Sequence, residues 1–135
     1  MPIHPQNDAL EEMATRSSDA PVVMLNLLRF RETAEPGHGV DGMTGEQAYR
    51  ECGRGFRKLQ PRFGGEPLWM GKAQAVLVGA ENEAWDLAIL VRYSTRGQFL
   101  SMLSDPEYKA ISPLRAAALS DSRLIEMTQL LPPSN

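Results

Sequence analysis

Asp86 and Arg115 are charged side chains in positions where a folded domain usually places apolar ones. Asp86 follows Trp85 at the start of a run that is mostly apolar to Tyr93, and Arg115 shares a helical face with Tyr108 and Ile111. A carboxylate desolvated by Trp85 and its neighbours is pushed up toward the working pH, as a general base requires. Asp86 is therefore the candidate catalytic base, for proton abstraction or cofactor-free oxygenation. A partly buried Arg115 needs an acid, which is either Asp86 or Glu107 within the protein or an anionic ligand. Asn26 lies in the middle of the apolar run Val22–Phe30. A buried amide there needs partners, so it either stitches a sheet edge or faces a ligand. Tyr93 and Tyr108 supply hydroxyls as polar handles in an otherwise aromatic pocket. Asn26, Tyr93, Tyr108 and Arg115 together form the expected ligand-binding set, suited to a small aromatic or anionic metabolite.

Other polar residues in the apolar runs are Arg92, Lys72 or Gln74, and Glu126 or Thr128. Asp86 and Arg92 fall on one strand face but lie about 20 Å apart, too far to pair directly. Both also fit as strand-end residues in water. Gly37-His38-Gly39-Val40-Asp41-Gly42 matches the G-x-G-x-x-G pattern, yet Pro36 and the residues around it separate it from the preceding strand, and the next helix cap comes after Gly42. Dinucleotide binding needs the opposite arrangement, so this segment reads as a flexible loop or a lid over a cavity mouth. His38 in that loop reads as solvated, and Cys52, on an apolar helical stripe, reads as a core thiol. No G-x-S-x-G elbow is present to support a hydrolase triad.

Composition narrows the classes further. The 135 residues carry 14 Lys and Arg against 17 Asp and Glu, a net charge of −3. That balance argues against a dedicated nucleic-acid binder. One cysteine and two histidines cannot build an intramolecular disulfide and make a metal site on those ligands improbable, so neither metal nor cofactor is expected. No apolar run approaches a membrane span, and the start lacks the apolar stretch of a signal peptide, which points to a soluble, cytoplasmic protein without membrane partners.

The elements that must carry these residues follow from periodicity. Residues 1–20 are a polar N-terminal extension with a weak helical patch at Ala9 to Thr15, and residues 21–135 form one domain. Val22–Phe30 is a buried strand. Thr44, with Gln47 three residues on, caps a helix whose apolar stripe is Tyr49, Cys52, Phe56, Leu59 and Phe63, and Gly64-Gly65 ends it. Leu68 to Gly79 and Trp85 to Tyr93 read as strands joined by a hairpin. Ser94 or Thr95 caps a helix over Gly97–Ser104, and Asp105-Pro106 restarts one that Pro113 is expected to break or kink. Arg123 to Leu131 is the last strand. The order strand, helix, strand, strand, helix, strand predicts an α+β, ferredoxin-like βαββαβ sandwich: four antiparallel strands with both helices on one face.

The other face is then uncovered. Val22, Met24, Asn26, Leu28 and Phe30 share one face of the first strand and Val23, Leu25 and Leu27 the other, and both are largely apolar at the centre, where a solvated face would alternate with polar residues. A second copy of the chain is the economical cover, giving a homodimer in which two sheets pack as a dimeric α/β barrel.

Val23-Met24-Leu25-Asn26-Leu27-Leu28-Arg29-Phe30, Trp85-Asp86, Tyr93-Ser94-Thr95-Arg96, Phe99, Met102, Asp105-Pro106-Glu107-Tyr108 and the block from Arg115 to Leu124 resemble the family catalogued as domain of unknown function 1330. The resemblance covers residues 22–131 and implies a ferredoxin-like domain of the dimeric α/β-barrel superfamily. That superfamily includes cofactor-free monooxygenases, muconolactone isomerases and haem-handling enzymes. Members usually show Tyr-Pro-Ser-Arg where this chain has Tyr93-Ser94-Thr95-Arg96, and often a His where it has Leu114. Neither His4 nor His38 falls on an element wall that could present a haem ligand. The function expected is binding of a small metabolite, with monooxygenase or isomerase chemistry as its enzymatic form. The alternative is a non-catalytic dimeric module that senses a ligand or is structural.

Overall fold

The computed structural model describes residues 3–133. Its elements are α1 (Asn7–Ala14), β1 (Val22–Phe30), α2 (Gly45–Phe63), β2 (Glu66–Lys72), β3 (Leu87–Tyr93), α3 (Arg96–Ser104), α4 (Pro106–Ala118) and β4 (Leu119–Met127). The strands form one antiparallel sheet in the order β2-β3-β1-β4. This is the predicted ferredoxin-like arrangement, with β1 and β3 interior and β2 and β4 at the edges.

One face of the sheet is the core. Met24 and Leu28 on β1 and Ile89, Val91 and Tyr93 on β3 are buried with Phe99, Met102, Ala117 and Ala118 from the helices. This follows from the period-2 alternation of the strands against the helical stripes. The opposite face carries Leu25, Leu27 and Leu90, half-buried, and Trp69, Ile125 and Met127, exposed.

The N-terminal extension packs on the core face. Met13 of α1 joins the core cluster. Arg16 reaches Glu126 of β4 at 2.5 Å, and Arg96 donates to the same carboxylate at 2.7 Å. The Arg96 guanidinium also donates to the Ser17 carbonyl, while the backbone N–H groups of Arg96 and Gly97 donate to Ala20 and Ser18 at 2.7 and 2.9 Å. The start of α3 thus holds residues 17–20 in place.

Four elements differ from the sequence reading. β2 starts at Glu66 and ends at Lys72 rather than running from Leu68 to Gly79. The Trp69 ring folds over Gly71, where a Cβ would lie 2.1 Å from the ring. The chain then leaves the sheet in a long excursion closed at its base by the Ala73 N–H on the Asp86 carbonyl, 3.0 Å. Leu77 and Val78, read as strand, are 91% and 96% exposed at its tip. β3 begins at Leu87, two residues later than expected.

β4 begins at Leu119, not Arg123, and ends at Met127. Ser120-Asp121-Ser122 looks like a turn, but its polar groups are met within the strand and across the sheet: Asp121 accepts from the neighbouring Arg123 at 2.8 Å, and the Ser120 hydroxyl meets the Arg29 carbonyl at 3.4 Å. α4 also runs unbroken through Pro113. The carbonyl that Pro113 cannot serve, on Lys109, is approached by the Ser112 hydroxyl at 3.5 Å.

The glycine loop is neither a lid nor a nucleotide cradle. Gly37, Gly39 and Gly42 take positive φ, Val40 is buried in the core, and Ala34 and Glu35 are hydrogen-bonded to Met43 and Ala117. His38 is exposed. Among the described residues no helix is long and apolar enough to cross a membrane.

Candidate functional site

α2 is positioned by a complete capping box. The Gln47 N–H donates to the Thr44 hydroxyl at 3.1 Å, and the Thr44 N–H donates to the Gln47 side chain at 2.9 Å. Gly64, at φ 68°, closes the other end. Its stripe then directs Tyr49, Cys52 and Phe56 inward at i, i+3 and i+7. α4 starts on Pro106 and presents Tyr108, Ile111, Ser112 and Arg115 on one face at i, i+3, i+4 and i+7. The two helices pack together where α2 has Gly55, and a Cβ there would sit 3.0 Å from the Ile111 side chain.

Between these helices and the sheet is a cavity of about 190 Å³. Its floor is Met24, Asn26, Ile89, Val91 and Tyr93; α2 gives Tyr49, Cys52, Gly53 and Phe56; α3 gives Phe99, Met102 and Leu103; α4 gives Tyr108, Ile111, Ser112 and Arg115. Pro5 closes one side, and the exposed Arg57 lies at the margin.

Asn26, Tyr93, Tyr108 and Arg115 all line this one space. Asn26 sits on an interior strand, so it stitches no sheet edge. Among the described residues its side chain makes one long bond, Nδ2 to the Met24 carbonyl at 3.4 Å. Tyr93 is buried edge-on against Phe99, centroids 5.1 Å apart, with its hydroxyl 3.8 Å from the Met102 sulfur. Arg115 donates from Nη1 to the Ile3 carbonyl. Neither acid expected for it is its partner: Glu107 pairs with Arg62 at 3.0 Å, and Asp86 lies elsewhere.

Asp86 is not brought to the cavity. It is exposed at the foot of β3, its carboxylate accepting from the Phe30 N–H at 2.8 Å and its own N–H donating to the Leu28 carbonyl at 2.8 Å. Trp85 turns away from it, with its ring between the Arg29 and Arg123 guanidinium groups at 5.5 and 5.0 Å. Asp86 therefore stands in solvent away from the cavity, and its carboxylate braces the end of β1.

No family model and no curated protein matches the chain. Among solved structures, a protein of unknown function from Rhodopseudomonas palustris is 33% identical, with a TM-score of 0.86 over 96% of this chain and 98% of that one. The chain belongs to that protein's family. More distant is a dimeric ferredoxin-like protein of unknown function from Bacteroides fragilis, 11% identical, TM-score 0.51, covering 79% of this chain and 94% of that one. Hydroxynitrile lyase from Passiflora edulis is also 11% identical, TM-score 0.57, covering 84% and 99%. These last two share the fold.

In this family member the cavity's titratable groups are held protonated at neutral pH. Burial pushes the Tyr49 hydroxyl up to about 12, assisted by Cys52 and opposed by Arg115. Burial pushes the Cys52 thiol up to about 11, again against Arg115. Tyr93 and Tyr108 are raised for the same first reason, and the Arg115 charge opposes the rise at Tyr108. Arg115 thus acts on three groups at once, as expected of side chains that converge. In the sequence Cys52 read as a core thiol and Tyr49 as part of the α2 stripe, outside the expected ligand-binding set. The signal for Tyr49 was its hydroxyl, which an apolar stripe alone cannot satisfy; neither it nor the Tyr108 hydroxyl has a hydrogen-bond partner among the described residues.

Proposed function

We propose that this chain, a member of the domain of unknown function 1330 family by its motif blocks, is a homodimeric, cytoplasmic protein that binds a small aromatic or anionic metabolite between its sheet and helices. Residues 21–135 form the binding domain, and Pro5 of the N-terminal extension closes one side of the cavity. The observation that carries the reading is the meeting of Asn26, Tyr93, Tyr108 and Arg115, from three elements, at one cavity of about 190 Å³. Such a space, mostly apolar with a few convergent polar groups, is the usual form of a small-molecule site.

The reading favours ligand binding over turnover. The side chains lining the cavity include tyrosines, a cysteine and two arginines but no carboxylate or imidazole, and the tyrosines and thiol are all raised away from neutral pH. Proton abstraction at pH 7 would need a group poised near that pH. A ligand-sensing role needs none.

The homodimer is supported by the second sheet face, where Trp69, Ile125 and Met127 are exposed beside Leu25, Leu27 and Leu90. A contiguous apolar patch of this kind marks an interface. Light scattering should give twice the 14.9 kDa chain mass, falling to one chain mass in Leu25→Glu. Thermal unfolding with a panel of neutral and anionic single-ring compounds should show a concentration-dependent rise in midpoint. A monomer that no compound stabilises up to millimolar concentration would overturn the proposal.

A further inference from the structure

We infer that the cavity is built for a small organic monocarboxylate, its carboxylate on Arg115, Tyr49 and Tyr108 and its apolar body between Phe56, Ile89 and Met102. The inference rests on the cavity being a ligand site and names what it selects.

The polar groups left free are overwhelmingly donors. The Tyr49 and Tyr108 hydroxyls are protonated at neutral pH and have no hydrogen-bond partner among the described residues. Arg115 uses Nη1 on the Ile3 carbonyl, leaving Nε and Nη2, the edge of the guanidinium that meets a carboxylate with two parallel bonds. These donors line an accessible cavity instead of being sealed in the core, and one ligand rich in acceptors would meet them together.

Charge points the same way. No carboxylate among the described residues pairs with Arg115: Asp105 and Glu107 are taken by Arg62, and Asp86 braces Phe30. A half-buried cation without a counter-ion is unfavourable, and one negative charge compensates it. Apart from Asn26, Ser112 and the marginal Arg57 the rest of the lining is apolar, so a multiply charged or fully polar ligand would lose most of its hydration without replacement.

Size sets the body. A cavity of about 150 Å³ holds a benzene ring, and this one is about 190 Å³. The difference is suited to the added carboxylate. Single-ring or short branched acids fit, whereas nucleotides and acyl thioesters do not. The strap from Ile3 to Pro5 forms the wall behind Arg115 and holds its guanidinium in orientation through the Ile3 carbonyl.

Isothermal titration of the full chain at neutral pH with benzoate, its neutral isostere benzamide, toluene and inorganic phosphate tests the inference. Benzoate should bind more tightly than benzamide by about tenfold or more, phosphate should not displace it, and toluene should bind weakly. Arg115→Gln should bring benzoate to within about threefold of benzamide, while a cooperative thermal transition like that of the wild type shows that the variant is folded. Arg115→Lys, which keeps the charge without the planar fork, should fall between the two. Equal affinity for benzoate and benzamide in the wild-type chain would overturn the carboxylate assignment while leaving the ligand site in place. So would displacement of benzoate by phosphate, or a preference for benzoate that survives Arg115→Gln. Failure of benzoate, benzamide and toluene alike would overturn the ligand site itself, and this inference with it.

Discussion

Two glycines of α2, two residues apart, should respond to the same substitution with opposite signs. At Gly53 a Cβ would meet no heavy atom within 4 Å, because the position borders the cavity. Alanine there gains helix propensity and restricts the unfolded chain, so Gly53→Ala should stabilise the protein by about 1 kcal/mol. At Gly55 a Cβ would lie 3.0 Å from both Cδ1 and Cγ1 of Ile111 on α4. Carbon atoms prefer about 3.5–4.0 Å, so Ile111 must retreat, and the open direction is into the cavity. Overpacking of this kind costs about 1–3 kcal/mol, which cancels or exceeds the same propensity gain. Gly55→Ala should therefore be about 2 kcal/mol less stable than Gly53→Ala, several degrees in midpoint for a domain of this size. Urea denaturation followed by circular dichroism measures the difference, and an unchanged m-value would show that the unfolded state is not responsible. Gly55→Ala should also weaken binding of a ligand by narrowing its space. Equal stabilisation by the two alanines would refute the close approach of α2 and α4, and with it the shape of the cavity.

Further outcomes follow from the same geometry. Arg96→Met leaves the Glu126 carboxylate, with 19% of its side chain exposed, to Arg16 alone and should cost about 2–3 kcal/mol in urea denaturation. Burial pushes Glu126 up, but the bonds from Arg96 and Arg16 outweigh it and hold the group below its usual 4.5. Its stabilisation is thus present above about pH 4.5 and lost as pH falls through the lower folded value, so the gap between wild type and Glu126→Gln should close in acid. The Cys52 thiol, at about 11 in the fold against an ordinary 9.0, stabilises the native state below about pH 9 and ceases to do so as pH rises through 11. At pH 8 native protein should react with iodoacetamide about 100-fold more slowly than urea-unfolded protein, from thiolate fraction alone. Thr44→Ala should cost about 1 kcal/mol by thermal unfolding, through loss of the α2 cap.

Local chemistry was legible where neighbours in sequence are neighbours in space. The limits of β1, the Thr44–Gln47 box, the α2 stripe, the Thr95 cap and Pro106 at the head of α4 each depend on residues within one or two turns of each other. The strand alternation also sorted β1 into two faces, both apolar at the centre, and the structure decided which of them meets the helices. Where the reading failed, a distant partner had changed the local preference. Leu119, Asp121 and Ser122 pair with the β1 backbone and the Ser120 hydroxyl meets the Arg29 carbonyl, so a turn-like stretch becomes the start of β4. β2 ends at Lys72, where the Ala73 N–H turns to the Asp86 carbonyl, and an apolar stretch is left as an exposed excursion.

The candidate site divides along the same line. Asn26, Tyr93, Tyr108 and Arg115 could be singled out because each is a polar group in an apolar pattern, and such groups must be answered somewhere. Asp86 satisfied the same criterion and was answered by the Phe30 backbone instead. Residue types and periodicity therefore determined the elements, the faces they bury and the polar exceptions on those faces. Only the tertiary structure decided which exceptions meet, and that Tyr49 and Cys52 join them. Convergence depends on how far α2 and α4 stand off the sheet and on the strap behind Arg115, and these distances are set by packing between segments far apart in the chain.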